Sequence, residues 1–413
     1  MLQINTDPVL ATPSSLETTA KNSRLASIDI LRAITMVLMI FVNDLWSLSG
    51  IPVWLEHVSY EEDGMGLADT IFPAFLFIVG MSLPFAIRSR RKQGDSNLVL
   101  VKHILIRSAA LLIMGVFLVN GENINEAATG MPRLVWNTLC CVSFILIWNV
   151  YPKTASKKWI TAARVLGFGI LLTLAFLYRG GESEALDYFS TYWWGILGLI
   201  GWSYLACALI LTFSDEKLYL PITAWVIFCA LSMLSSAGYI SSDSLLGMIP
   251  GPISQGTLAG LTMGGVITTM LFQHYQRQDA PKRMMIVLVA LAIGLMVLGF
   301  YTRTFWGISK LRATPAWLFL CSAITMLAFV GIYWLADRRK KADWFNFVKP
   351  AGYNTLLCYL IPYFAYAFMR LFGLHLPEVL LAGSIGLLKS FLFALLCVAV
   401  TGGLTRLGVR LKL

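Results

Sequence analysis

Charge is what this chain of 413 residues most lacks: Asp, Glu, Lys and Arg make up 13% of it, about half the share found in an ordinary soluble domain. A soluble core could not hide the 57% of residues that are hydrophobic, and the mean hydropathy of +0.72 excludes a simple water-soluble globule. Lipid must be part of the solvent. Histidine is also scarce. The four histidines, His57, His103, His274 and His375, fall in four separate connections with no H-E-x-x-H spacing, which argues against a protein-built zinc site and a catalytic metal. Seven cysteines lie mostly inside apolar runs and none forms a spaced ligand pair with histidine. They read as small hydrophobes, with no disulfide framework expected. The first residues are polar and Thr/Ser-rich with no apolar core or cleavage motif, so residues 1–23 are expected to be a disordered cytoplasmic tail.

What the chain has instead is a series of apolar runs of about 17–22 residues, each bounded by Gly, Pro, Asn or charge. They lie near 30–48, 69–87, 104–120, 133–150, 162–178, 193–212, 220–236, 253–273, 284–300, 315–335, 351–370 and 379–400. The fold class expected is all-α, a polytopic integral membrane helix bundle of about twelve transmembrane helices, with ten to twelve compatible with the pattern. The connections are too short for a soluble domain. With the N-terminus in the cytoplasm, 25 of the 32 basic residues fall on inside segments, six fall outside and Lys389 lies within a span. That agrees with the positive-inside rule and makes both termini cytoplasmic. The formal charge of +10 therefore reads as membrane anchoring. Nucleic-acid binding is the poorer reading, because the basic residues are spread over every cytoplasmic loop.

Glycines recur at close spacing at Gly195/Gly198/Gly201, at Gly260/Gly264 with Gly265, and at Gly383/Gly386. Such stripes let helices approach closely and would also allow a homodimer. Residues 247–256, G-M-I-P-G-P-I-S-Q-G, read equally as a shaped binding loop or a capped turn. Trp and Tyr cluster in residues 188–194 and 301–306, where interfacial anchoring explains most of them and stacking on a sugar is the other use.

The polar residues among the spans carry the chemistry. His57 lies in an acidic loop, W-L-E-H-V-S-Y-E-E-D, between the first two spans. An imidazole there is the natural general base near neutrality, against the plainer reading of an incidental histidine in a solvated loop. Asp69 opens the second span, four residues before Pro73. It suits a helix N-terminus and could also orient His57. Asp29 and Arg32 share a helical face and pair, either as an orientation lock or as a rim for an anionic substrate. Asn43 and Asp44 stand near the outer end of the first span. Arg107, with Lys102 and the cluster at residues 88–92, is either topogenic charge or a phosphate site. Lys310 and Arg312 lie on the nominal outside, where positive charge is scarce, and the amide of Asn354 needs an interhelical partner.

Several of these stretches agree with one family: R-L-A-S-I-D-I-L-R-A-I-T-M-V-L-M-I-F-V-N at residues 24–43, His57, G-L-A-D-T-I-F-P at 66–73 and F-I-V-G-M-S at 77–82. Looser agreement comes from G-P-I-S-Q-G-T-L-A-G at 251–260, K-L-R-A-T-P at 310–315 and P-A-G-Y-N at 350–354. Together they resemble the transmembrane acyltransferases that include heparan-alpha-glucosaminide N-acetyltransferase and its bacterial relatives. The chain departs from that pattern at Ala33, where glycine is usual, at residues 60–63, and at M-P-R-L-V-W-N in residues 131–137. Two spans are additional to the family's common core.

The resemblance implies a single transmembrane acyltransferase domain over residues 24–413, in a bacterial inner membrane. It implies cytoplasmic acetyl-CoA as co-substrate, no metal, and an amino sugar such as glucosamine, or a glycan, as acceptor on the far side. His57 would be the catalytic histidine, with Asn43 and Asp69 as polar partners and Asn43 as an oxyanion donor. Arg32, His103 and Arg107 would hold the phosphates of coenzyme A, with Asp29 beside Arg32. A transporter for a sugar or an anionic metabolite is the alternative, permitted by many spans with Gly/Pro breaks.

Overall fold

The computed structural model describes residues 25–182, 185–240 and 246–413, so the expected tail at residues 1–23 lies outside the described residues. In chain order the long helices are α1 (Ala26–Asp44), α2 (Leu67–Lys92), α3 (Asn97–Glu122), α4 (Arg133–Trp148), α5 (Lys157–Leu177) and α6 (Gly195–Thr212). They continue with α7 (Tyr219–Ser236), α8 (Thr257–Arg277), α9 (Pro281–Trp306), α10 (Pro315–Tyr333), α11 (Thr355–Leu371) and α12 (Gly383–Arg406). One small departure from an all-α chain is an antiparallel pair, β1 (Gly180–Glu182) with β2 (Ala185–Asp187).

The protein is a polytopic membrane-helix bundle. Among the described residues nine helices are long and apolar enough to cross a membrane. Each of the apolar runs forms a helix, but α4, α8 and α11 fall outside those nine. α4 and α11 are 16 and 17 residues long, which gives about 24–26 Å of rise against a hydrocarbon core of about 30 Å. α8 is long enough at 21 residues but is diluted by threonine, glycine and the polar residues 273–277. Helix ends also overrun the apolar runs. α3 starts at Asn97 because Ser96 caps it, accepting the Val99 amide at 3.4 Å. α2 runs on to Lys92, its basic last turn placed where the helix dipole favours cations.

The connections gather at two ends of the bundle. At one end the Gly64 amide donates to Ile308 O at 2.9 Å, the Ser49 amide to Leu381 O at 2.9 Å and Thr257 Oγ1 to Ala313 O at 2.6 Å. At the other, Arg277 donates to Glu216 at 3.0 Å, the Ser27 amide to Asp337 at 3.1 Å and the Val150 amide to Arg410 O at 2.8 Å. Thus α8 runs from one end to the other, from the Ala313 contact at Thr257 to the Glu216 contact at Arg277. Asn354 bonds Thr405 and Val409 O at 3.0 Å each, giving its amide the interhelical partners it requires.

Glycine sets the closest helix crossings. A Cβ on Gly80 would collide with the Thr262 carbonyl, and one on Gly265 with the Phe77 carbonyl, so α2 and α8 touch backbone to backbone. Gly195, Gly198 and Gly201 face residues 108–119 of α3, and a Cβ on Gly195 would collide with the Gly115 carbonyl. Those two stripes are therefore occupied within the chain and are not free seams for a homodimer. Residues 251–254 form a short helix and Gly256 follows at φ +76 against Phe228 O. Within the 247–256 stretch Pro252 and Ser254 are buried, whereas Met248 and Ile249 are exposed. All seven cysteines are buried and free.

Candidate active site

The His57 loop owes its shape to two local features. α1 passes into a 3-10 turn, Leu45–Ser47, and a second turn, Val53–Leu55, buries Leu55 and leads the chain to His57. The chain then returns to α2 past Gly66, where any side chain would collide with the Glu56 carbonyl. Only glycine lets these two segments cross, and the crossing sets His57 beside the first turn of α2.

Asp69 occupies that turn and is 1% exposed. Its Oδ2 accepts the amides of Val58 at 3.0 Å and Gly66 at 3.1 Å, while Oδ1 lies 2.6 Å from His57 Nδ1. The carboxylate thus caps the helix and grips the imidazole at once, the two roles read for it in the sequence. Pro73 adds a further constraint. Lacking an N–H, it leaves the Asp69 carbonyl without its helical donor, and Trp317 Nε1 of α10 takes that place at 3.0 Å. The His57 side chain is 47% exposed. With the proton on Nδ1 directed to Asp69, Nε2 is left to accept another.

A third group stands at the ring. Lys310 Nζ is 3.3 Å from His57 Nδ1, 3.5 Å from Nε2 and 4.0 Å from Asp69 Oδ1. The ammonium is thus close to both ring nitrogens. Burial pulls its pKa below the ordinary lysine value, with Asp69 opposing. Its loop, residues 307–314, is clasped to the His57 loop by Asp63, which accepts the Ile308 amide at 2.6 Å and Arg303 Nε at 2.9 Å. Burial pushes the Asp63 carboxyl up, but the bonds from Ile308 and Arg303 outweigh it and hold the group below its ordinary value.

Asn43 is exposed at the end of α1, and the hydrogen bonds of His57 and Asp69 do not include it. Its neighbour Asp44 is buried instead. Asp44 accepts Tyr366 OH at 2.7 Å, Lys389 Nζ at 2.7 Å and Ser390 Oγ at 2.6 Å, tying α1 to α11 and α12. Sequence reasoning named neither Lys310 nor this cluster as functional. The available signals were the scarcity of positive charge outside, and the need of Lys389 inside a span for an acidic partner.

The residues read as coenzyme A ligands lie toward the opposite end and form two groups. Arg32 pairs with Asp29 at 2.9 Å, donates to Gly352 O at 3.3 Å and also donates to Ser82 Oγ. It ties α1 to α2 and to the short helix Lys349–Tyr353, beside a cleft of about 150 Å³ lined by Asp29, Ala33, Lys349 and Tyr353. His103 bonds Arg90 at 3.0 Å, and Arg90 pairs with Asp95 at 3.0 Å. Arg107 lies 4.8 Å over the Tyr204 ring, its buried Nε without a partner among the described residues. A second cleft, of about 120 Å³, is lined by Arg88, Arg91, His274 and Arg277 with Glu216. Arg32, Arg90 and Arg277 thus already have carboxylate partners, and within this set only the Arg107 Nε lacks one among the described residues.

Known proteins resemble part of the chain. The human heparan-alpha-glucosaminide N-acetyltransferase is 35% identical over 109 residues, 26% of this chain and 16% of that protein. The mouse protein of the same name is 35% identical over 115 residues, 28% of this chain and 17% of its own length. The matched stretch is thus under a fifth of either relative. Residues 24–124, which contain α1, the His57 and Asp69 pair, α2 and α3, match at the family level the catalytic region of heparan-alpha-glucosaminide N-acetyltransferase.

Proposed function

We propose that this protein is a membrane-embedded N-acetyltransferase that moves the acetyl group of acetyl-CoA to the amine of an amino sugar such as glucosamine. The observation that carries the reading is the 2.6 Å contact of His57 with the buried Asp69 inside the family-matched stretch. Asp69 orients the ring, and Nε2 takes the proton of the attacking amine. The amine nitrogen bonds to the thioester carbon, the carbon–sulfur bond breaks and coenzyme A leaves as its thiolate, reprotonated by His57. The exposed amide of Asn43 is the proposed oxyanion donor.

Acetyl-CoA enters at the opposite, basic end, which we take as cytoplasmic, where Arg32, His103 and Arg107 engage its phosphates and Asp29 fixes Arg32. A pantetheine arm of roughly 15–20 Å covers about half of a hydrocarbon core of about 30 Å. The acceptor then needs only to reach the His57 end, on the periplasmic side of a bacterial inner membrane, and all twelve long helices cross the bilayer.

The test is release of free coenzyme A and acetylglucosamine by the purified protein and by His57→Ala. Turnover in the variant equal to wild type would remove His57 from the chemistry. Asp44 and Lys389, paired between helices at 2.7 Å, favour a second reading, transport of a sugar or an anionic metabolite. Uptake of radiolabelled sugar by proteoliposomes without any acyl-CoA would carry that reading.

A further inference from the structure

We propose that Lys310 is a second catalytic group of the acetyl transfer, donating an ammonium N–H to the thioester oxygen as charge develops there, and that Asp63 positions it. The inference rests on the acyl-transfer reading above and concerns the same site.

Among the described residues two lysines stand near buried carboxylates, and they are used differently. Lys389 meets Asp44 at 2.7 Å and Ser47 at 3.1 Å, the geometry of a satisfied ion pair. Lys310 stops 4.0 Å from Asp69, whose oxygens are already taken by His57 and the amides of Val58 and Gly66 at 2.6–3.1 Å. Among the described residues its ammonium meets only His57 and Asp69. An ammonium has three donors, so donors remain to be directed at a molecule entering over the half-exposed ring.

The backbone beneath it is built to stay put. The Ser309 amide donates to Thr314 Oγ1 at 3.0 Å, the Ala313 amide to Lys310 O at 3.0 Å and the Thr314 amide to Ser309 O at 3.1 Å. Ser309 and Thr314 are 3% and 2% exposed. Asp63 closes the loop from outside through Ile308 and Arg303, and Gly64 adds its amide bond to Ile308 O at 2.9 Å. A donor held this way costs no reorganisation when the carbonyl oxygen becomes an oxyanion.

In the step, the amine nitrogen bonds to the carbonyl carbon and the π pair moves onto the oxygen, which accepts from Lys310. His57 Nε2 takes the amine proton, the oxygen pair returns, and the carbon–sulfur bond breaks. His57 returns that proton to the thiolate. Lys310 stays protonated throughout, and acetyl-CoA plus amine gives amide plus coenzyme A thiol. The charged and titratable groups around Lys310 are His57 and Asp69 at the ring, with Asp63, Arg303 and Arg312 at the clasp.

The experiment measures kcat, KM and pH profiles for acetyl transfer from acetyl-CoA to glucosamine by wild type, Lys310→Met, Lys310→Arg and Asp63→Asn, with acetyl-CoA binding by calorimetry to verify folding. Lys310→Met is expected to lose about 10²–10³-fold in kcat with unchanged acetyl-CoA binding. Wild-type rates should fall on the alkaline side below the usual lysine range, and Lys310→Arg should move that fall to higher pH because guanidinium stays charged. Asp63→Asn should lower kcat while keeping the wild-type alkaline fall. Wild-type kcat in Lys310→Met, or an alkaline fall unmoved in Lys310→Arg, would overturn the role of Lys310 and leave the acyltransferase reading standing. No coenzyme A release by wild type would instead overturn that reading and this inference with it.

Discussion

His57 Nδ1 stands 2.6 Å from Asp69 Oδ1, and the carboxylate is almost wholly buried while the ring is half open. One residue is therefore fixed by the fold and the other is free to meet substrate. Asp69→Asn retains the shape of the site but loses the charge that pairs with an imidazolium. It should lower kcat for acetyl transfer by about 10²–10⁴-fold with little change in acetyl-CoA affinity. A variant with wild-type kcat in a steady-state assay would show that Asp69 only caps α2.

Trp317 replaces the backbone donor that Pro73 removes. Trp317→Phe keeps an aromatic ring there but leaves the buried Asp69 carbonyl unpaired, a loss of about 1–3 kcal/mol. Thermal unfolding in detergent should show the loss, and restoring the missing helical donor in the double variant Trp317→Phe/Pro73→Ala should recover part of it.

Asp44 and Lys389 join helices distant in sequence, with side chains 4% and 16% exposed. Lys389→Met strands a buried carboxylate and should cost about 3–5 kcal/mol. Adding Asp44→Leu removes the stranded charge, so the double variant should melt above Lys389→Met. Melting curves for the two single variants and the double close the cycle.

Gly80 and Gly265 mark the tightest approach of α2 to α8, whereas a Cβ on Gly294 would meet nothing within 4 Å. Gly80→Ala or Gly265→Ala should destabilise by at least the 1–3 kcal/mol typical of overpacking. Gly294→Ala, in α9, should leave the melting temperature level or raise it. Equal melting of all three would disprove the backbone contact.

The Asp63 clasp should open in acid. Its pKa is lowered in the folded protein, so its contribution is complete above the unfolded value of about 3.9 and is lost as pH falls through the lower, folded value. Hydrogen exchange at the Ile308 amide, corrected for intrinsic rates, should lose protection below about pH 4. Asp63→Asn should show weaker protection with no such acid step.

Long helices were legible because an apolar run long enough to cross a bilayer has few other uses. Their ends were less so, since caps such as Ser96 and the basic last turn of α2 lie outside the hydropathy signal. Three runs lack the length or apolarity for an unambiguous crossing, and α8 shows why: its Gly265 and Thr269 serve contacts with α2, and its Gly260 and Thr257 serve contacts elsewhere in the bundle. The pairing of His57 with Asp69 was readable because they are 12 residues apart around a helix start. In the sequence Lys310 is only an odd charge, because it lies 253 residues from its partner. By position Asn43 reads as the polar neighbour of the site, yet the buried hydrogen bonds at the end of α1 belong to Asp44.

By itself, then, the sequence determined the solvent, the helical class and the position of a titratable loop, because hydropathy, charge and short spacings are local properties of the chain. Only the tertiary structure decided which cation faces the imidazole, which acid neutralises Lys389, and which glycines are used within the bundle. Those pairings depend on helices that meet hundreds of residues apart, where burial and backbone contact select partners that no local pattern encodes.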